Sequence, residues 1–571
     1  MKDIKDGFKS RIRLTYVLFF IFGIVLVARL FYLQVVKNNY YQNEGERQYV
    51  ASSVEKFDRG TIYFMGKNGQ LVSAATIKKG FEVAVNPTIL ENPENAYEKL
   101  SKIIEIKKED FFKHLENKKD PYEVVAQRVE DEDAKKIMNL KIKGLDAFLE
   151  SWRYYPGNNL ASRILGFVGY KDDVLSGRYG LEKQYDLVLN LNEGAGFMNS
   201  FAEIFSNIKK TITGEEKGDI VLTIEPSVQS FLEKKLGKAR NDYNCQTVGG
   251  IIIEPKTGKI LAMVAKPDFN PNSYSETKDF SLFMNPNVES VFEIGSIMKP
   301  LTIAAAMNEG KVSSKTFYTD KGYVIVDGKQ IKNYDGKAMG KVGLQDILDH
   351  SINTGAVFVM EQLGREKFKD YLINFGLGEK TGIDLSEEVR GKIKNVTDSP
   401  REIEYANASF GQGFSATPIA MATALSSLAN GGNLMKPYIV QQIKIKGGVD
   451  KIIEPKVIRQ VLDKKTSEEV SRMLVKVFDE ALMNGIYKME RYSVATKTGT
   501  AQYVEEGEKG YKEDEYVHTF FGYAPAFDPK FLVLLYLVKP QGVRYASFSL
   551  SEPFVNTMKF LLNYYEVPPD R

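Results

Sequence analysis

Three short patterns in this chain carry the residue types needed for acyl transfer. "FEIGSIMKP" (292–300) places Ser296 three residues before Lys299, with Gly295 ahead of the serine and Pro300 behind the lysine. Glycine lets the backbone turn sharply, and proline fits the first turn of a helix, whose N–H groups have no intrahelical acceptor. Ser296 is therefore expected at a helix N-terminus, with Lys299 on the same face and within reach of its hydroxyl. A serine hydroxyl attacks only when a base takes its proton. With three histidines in the whole chain, His114, His350 and His518, at no metal-ligand spacing, a neutral lysine is the available base. Its ordinary pKa of about 10.4 must fall, through desolvation and a second cation nearby.

The second cation is expected from "VATKTGTA". Read as a strand, it puts Lys497, Gly499 and Ala501 on one face and Thr498 and Thr500 on the other. Gly499 would let a substrate backbone approach closely, and the cation and hydroxyls could hold a carboxylate. In "DHSINTGAV", Ser351 and Asn353 can both face a cleft if the segment is a loop, where a hydroxyl relays a proton and an amide orients a peptide carbonyl. The alternative is that Asn353 only caps the helix that follows. None of these patterns is specific alone: Ser-x-x-Lys recurs at Ser53, Ser206 and Ser275, and Lys-Thr-Gly at Lys256 and Lys380.

The elements that must position these residues can be read in outline. A chain of 571 residues suggests two or three domains. Residues 14–36 form an apolar run interrupted by Arg29, long enough at about 1.5 Å per residue to cross a bilayer. Five Lys or Arg precede it and two follow in the next thirteen residues, and "VARLF" lacks a small-x-small cleavage pattern. The expectation is an uncleaved anchor at 14–36, a cytoplasmic tail at 1–13 and an exported remainder. Residues 37–218 mix strand-like runs with charged helical segments such as 96–119 and group no catalytic side chains, as a pedestal would. From 219 the chain reads strand, helix, and a hairpin through Pro255–Gly258. A helical stretch follows, then three strand-like runs, "YSVATKTGTAQ", "HTFFGYAPAF" and "KFLVLLYLVKP". Strands at both ends with helices between imply one antiparallel sheet covered by helices, an α/β (α+β) fold for 219–571.

Composition excludes several functions. The net charge of +3 without a basic block gives no nucleic-acid footprint. The single Cys245 excludes an intrachain disulfide and any multi-thiolate zinc site, and its expected role is to fill a small apolar gap. No metal or cofactor is expected.

The ordered set Ser-x-x-Lys, Ser-x-Asn and Lys-Thr-Gly at 296, 351 and 497 resembles that of the penicillin-binding proteins and serine β-lactamases. "RLFYLQVVKNNYY", "DRGTIYFMGKNGQLVS", "RYYPGNNLASRILGFVGY", "GLEKQYD" and "TGKILAMVAKPDFNPN" extend the resemblance to the monofunctional class B penicillin-binding proteins. "SFGQGFSATPIAMATALSSLANGGNLMKPYIV" looks most like their division-specific branch, with the elongation-specific branch next. The resemblance implies a transpeptidase domain behind a dimerisation-type pedestal. Ser296 would be the acylated nucleophile, Lys299 its base, Ser351 a proton shuttle and Asn353 a holder of the donor peptide. Lys497, Thr498 and Thr500 would bind the terminal carboxylate, and backbone N–H groups of Ser296 and Thr500 would form the oxyanion hole. It further implies D-Ala-D-Ala stem peptides as donors, β-lactams as covalent inhibitors, and a SEDS-family glycan polymerase and division-machinery membrane proteins as partners. Ile294 stands where the family usually has proline, and Ile352 where division enzymes often have serine. A β-lactamase, a β-lactam sensor and a catalytically idle scaffold are the competing readings; one membrane run and a short tail argue against the sensor, and the intact motifs against pure scaffolding.

Overall fold

The computed structural model describes residues 21–26, 29–30, 32, 57–118, 120–171, 174–191, 217–504, 510–512 and 514–571. The expected anchor at 14–36 lies largely outside them, as do Ser53 and Ser206 of the alternative tetrads. Among the described residues no helix is long and apolar enough to cross a membrane.

The chain divides into two units. The smaller, centred on Lys78–Trp152, has the strand Glu123–Val129 paired antiparallel to the latter part of Leu71–Val85, with Phe81 opposite Val129 and Val85 opposite Glu123. Its core is Val83, Val85, Leu100, Phe111, Ile137 and Leu145. The charged stretch 96–119 is not one helical segment but two short helices, Pro93–Leu100 and Lys108–His114. Leu100 and Phe111 are both fully buried, so each half turns its own apolar residue inward.

In the larger unit, three of the motifs quoted above from 58–186 meet in one buried cluster. Glu182, with no exposed side-chain surface, accepts from Arg59 Nε and Arg153 Nε, each at 2.6 Å; Arg59 also donates to Asp186 at 2.8 Å and Arg153 to the carbonyl of Gly60 at 2.8 Å. Burial raises the Glu182 pKa, but the two guanidiniums outweigh it and hold the carboxyl below its ordinary range. Buried charges survive only when paired and hydrogen-bonded in this way.

The rest of this unit builds the sheet that the sequence implies. Among its elements, in chain order, are α1 (Pro226–Asp242), β1 (Thr247–Ile253), β2 (Ile260–Lys266), α2 (Lys299–Asn308), α3 (Asn353–Leu363), α4 (Glu402–Ser409), α5 (Pro418–Ala429), β3 (Ala495–Gln502), β4 (Tyr516–Ala524), β5 (Phe531–Val538) and α6 (Ala546–Tyr564). The strands pair in the order β3-β4-β5-β1-β2, every pair antiparallel. The near-continuous apolar run of β5 follows from burial on both faces. Val533, Leu535 and Leu537 pack with Val228 and Leu232 of α1 and Phe554 of α6, while Leu532 and Leu534 join the core that contains α2, α3 and α5. Each such side chain contributes roughly 1.5–3 kcal/mol of transfer free energy. Cys245 packs in the α1–α6 layer, and burial pushes its thiol up to about 11, an inert gap-filler.

Candidate active site

β3 is an edge strand, and the turn before α2 lies against it. Gly295 adopts φ 63°, a conformation that favours glycine, and a Cβ there would come within 3.1 Å of the Thr500 carbonyl group. Gly499 is the reciprocal requirement. A Cβ on it would meet Thr519 Oγ1 at 2.4 Å, the Ile294 carbonyl oxygen at 2.8 Å and Ile297 N at 3.1 Å. The close approach expected at Gly499 is thus made by the protein's own Ser296 turn. Ser296 sits in a 3₁₀ turn, Gly295–Met298, and the α-helix begins at Lys299 with Pro300 in its first turn. Ile294, at the position usually held by proline, is buried, and its carbonyl accepts from Thr519 Oγ1 at 2.9 Å.

Lys299 is fully buried, and its Nζ lies 2.5 Å from Ser351 O, 2.8 Å from Asn353 Oδ1 and 3.1 Å from Ser351 Oγ. Burial pushes its pKa well below the usual lysine range, and the charge on Lys497 pushes it further. Lys497, also buried, is lowered to about 8, burial outweighing the opposing carboxylate of Asp349. Both effects on Lys299 favour its neutral amine over the ion. As a neutral amine, Lys299 has two N–H groups, which match Ser351 O and Asn353 Oδ1. Its lone pair is then left to the Ser351 hydroxyl, an arrangement that passes a proton. Among the described residues Ser296 Oγ makes no hydrogen bond, so the Ser296–Lys299 contact that the spacing permits is not formed here.

The Ser351 segment is neither plain loop nor cap. Ser351 has φ 53°, a left-handed conformation that costs a non-glycine residue on the order of 1 kcal/mol or more. Asn353 is the first residue of α3, and the cap residue, Ile352, makes no side-chain cap bond. Asn353 is therefore free to bridge, receiving Lys299 on Oδ1 and donating from Nδ2 to Lys332 O at 3.0 Å. Lys497 Nζ donates to Thr498 O at 3.0 Å, and Thr500 Oγ1 accepts from Ala546 N at 3.1 Å. A cleft of about 650 Å³ is lined by Ser296, Ser351, Asn353, Lys497, Thr498 and Thr500 together. Strand alternation separates Lys497 from the two threonines, yet all three reach the cleft, the lysine by its long stem.

Sequence reasoning did not find Lys332, Tyr334, Arg544, Tyr545 and Phe548, which also line the cleft. They come from a hairpin that ends at Lys332 and from the start of α6, and Tyr334 and Tyr545 meet edge to face at 5.7 Å. No local pattern marks them, because only the fold brings these segments together. Among the described residues no cluster of His, Cys, Asp and Glu could hold a metal ion.

A buried lysine bonded to Ser351 and Asn353, beside a cleft lined by Ser296 and Lys497 at the edge of a five-stranded antiparallel sheet with helices on both faces, is an arrangement suited to acyl transfer by a serine. Comparison with known proteins gives the family. Residues 248–559 match the penicillin binding protein transpeptidase domain, and residues 55–217 the penicillin-binding protein dimerisation domain. The chain belongs to the penicillin-binding protein transpeptidases, and it is a penicillin-binding serine enzyme of peptidoglycan synthesis. It is 32% identical to Stage V sporulation protein D of Bacillus subtilis over 559 residues, covering 96% of this chain and 85% of that protein. It is 26% identical to the peptidoglycan D,D-transpeptidase FtsI of Buchnera aphidicola (subsp. Schizaphis graminum), covering 96% and 94%. In fold it is similar to penicillin-binding protein 3 of Mycobacterium tuberculosis solved with aztreonam, at TM-score 0.68, 22% identity and coverage of 90% and 97%.

Proposed function

We propose that this enzyme crosslinks peptidoglycan stem peptides through an acyl intermediate on Ser296. Ser296 Oγ attacks the carbonyl of the penultimate D-Ala, and its proton passes to neutral Lys299. The oxyanion rests on the backbone N–H groups of Ser296 and Thr500, worth about 10²–10³-fold per donor in related chemistry. The C–N bond breaks, and the terminal D-Ala leaves as an amine protonated by way of Ser351. An amine of a neighbouring stem then attacks the ester, forming the new amide and releasing Ser296. Asn353 holds the donor peptide, and Lys497, Thr498 and Thr500 bind its terminal carboxylate. The supporting observation is Lys299: buried, bonded to both residues of the Ser-x-Asn pattern and depressed by the lysine of the Lys-Thr-Gly pattern. No step in this scheme draws on a metal or cofactor.

β-Lactams present a strained amide in the same position, and a penicillin should trap Ser296. Intact mass of the protein after incubation with a penicillin tests this: one stable adduct is expected, absent in Ser296→Ala. Rapid loss of the adduct would favour a β-lactamase, and its absence in the parent protein a scaffold.

The biological setting we infer is septal. The run 14–36 anchors the chain in the cytoplasmic membrane, N-terminus inside and catalytic unit outside, where a SEDS-family polymerase and division proteins would be its partners. The 32% identity to a sporulation protein, against 26% to FtsI, favours a second reading as a sporulation-type class B enzyme. Depletion separates the two: a septation block in growing cells supports the first, and a defect confined to spore formation the second.

A further inference from the structure

Glu293, three residues before Ser296, lies outside the cleft yet joins two elements that border it. Its Oε1 accepts from Gly413 N at 2.8 Å, and both its oxygens lie 3.3 Å from the Tyr511 hydroxyl. Gly413 belongs to a turn that packs backbone to backbone on the Ser296 turn. Gly295 N donates to Gly411 O at 2.9 Å, and a Cβ on Gly411 would fall 2.0 Å from the Gly295 carbonyl oxygen. Phe292 and Ala416 exchange both backbone hydrogen bonds, at 3.3 and 3.2 Å. Gln412, in the middle of this turn, lines the cleft. Tyr511 stands in the connection between β3 and β4, closed at its base by Tyr503 N on Glu515 O at 2.9 Å. One carboxylate thus ties the nucleophile turn to the 411–413 turn and to the segment continuing from the Lys497 strand.

We propose that Glu293 is a positioning residue for acylation, whose ionised carboxylate holds the Ser296 turn in register with β3 through Gly413 and Tyr511. This rests on the reading of Ser296 as the nucleophile. The charged and titratable groups on the described residues packed around it include Tyr511, Lys512 beside it in the same segment, Lys392, which pairs backbone to backbone with Ser415, and Glu404 of α4, itself paired with Arg401 at 3.3 Å. Among the described residues no cation pairs with Glu293. Burial raises its carboxyl to about 7, against the two hydrogen bonds that favour the ionised form. The clamp therefore titrates in the neutral range. Above about 7 the carboxylate accepts from both Gly413 and Tyr511; below it, one oxygen carries a proton and the clamp loosens.

The test is the second-order rate of acylation by a penicillin across roughly pH 5 to 9, with amide exchange at 411–413 measured in parallel and corrected for the intrinsic chemical rate. In the parent protein acylation should fall as pH drops through about 7, together with protection of these amides. Glu293→Gln keeps the shape and an acceptor oxygen but cannot ionise, so the limb near 7 should vanish from both readouts, leaving in acylation only the fall set by protonation of Lys299. A purely structural residue would lower the whole curve and leave its shape. Tyr511→Phe removes a bond to the ionised form, so it should move the limb to higher pH. A limb unchanged in Glu293→Gln, or protection in the parent protein that does not vary through this range, overturns the proposal. If no adduct forms at any pH, the reading of Ser296 fails, and the exchange profile still decides whether the clamp titrates.

Discussion

At the scale of single residues, the chemistry turns on two buried lysines made different by their surroundings. Near neutrality Lys299 is biased toward its neutral amine, by burial first and by the charge on Lys497 second. Lys497, lowered only to about 8, remains a cation there. In the proposed scheme a base and a carboxylate-binding charge thus come from the same residue type. The sign follows directly: Lys497 is charged below about 8 and neutral above, so binding of a carboxylate substrate weakens as pH rises through that value. Acylation efficiency should therefore show a descending alkaline limb. In Lys497→Arg, whose guanidinium stays protonated, that limb should disappear even if the plateau drops. Penicillin acylation rates of both proteins between roughly pH 7 and 10 check this. A limb that persists in the arginine variant would assign it to another group.

Among the elements, the contact between β3 and the turn before α2 decides whether the site exists. Two glycines make it possible, and both are explained by the atoms a side chain would meet. Gly499→Ala places a methyl against Thr519 Oγ1 and the backbone of Ile294 and Ile297, so the Ser296 turn must shift away from Thr500. A displacement near 1 Å costs on the order of 10²-fold in rate. The expected result is a loss of that size in acylation with the thermal midpoint nearly retained, because the strain is local. Near-parental acylation would show that the turn and strand are looser than they stand here. The strands themselves were legible from apolar runs and alternation, and so was the turn at Gly295 and Pro300. The split of 96–119 into two helices was not, because the charged residues that fill it suit a helix surface at any length.

At the scale of the whole molecule, stability depends on charges that converge from distant stretches of chain. Arg59, Arg153 and Glu182 carry three of the motifs noted for 58–186, and the structure places them in one buried ion cluster of the larger unit. Because the folded state holds the Glu182 carboxyl below its ordinary 4.5, its contribution is present above that value and is lost as pH falls below it. Glu182→Gln leaves buried Arg153 without its counter-charge and Arg59 with Asp186 alone, and should cost about 3–5 kcal/mol. Chemical denaturation of the two proteins at neutral pH measures the difference, and a change below 1 kcal/mol, the scale of an exposed pair, would mean that the cluster is solvated.

What the amino-acid sequence determined by itself is the set of reactive residue types, the alternating runs that make strands, and the family those motifs mark. These are local properties, set by side-chain chemistry and by spacings of two to four residues. The tertiary structure decided which groups face each other. Lys299, placed by its spacing on the face of Ser296, bonds Ser351 and Asn353. Lys332, Tyr334, Arg544 and Tyr545 enter the cleft from segments with no local signature, and Glu293 meets Gly413 and Tyr511 from more than a hundred residues away. Burial and neighbouring charge do the rest: the same side chains in water would titrate at ordinary values, whereas in the packed core both are pushed down, Lys299 further by Lys497 and Lys497 against the pull of Asp349.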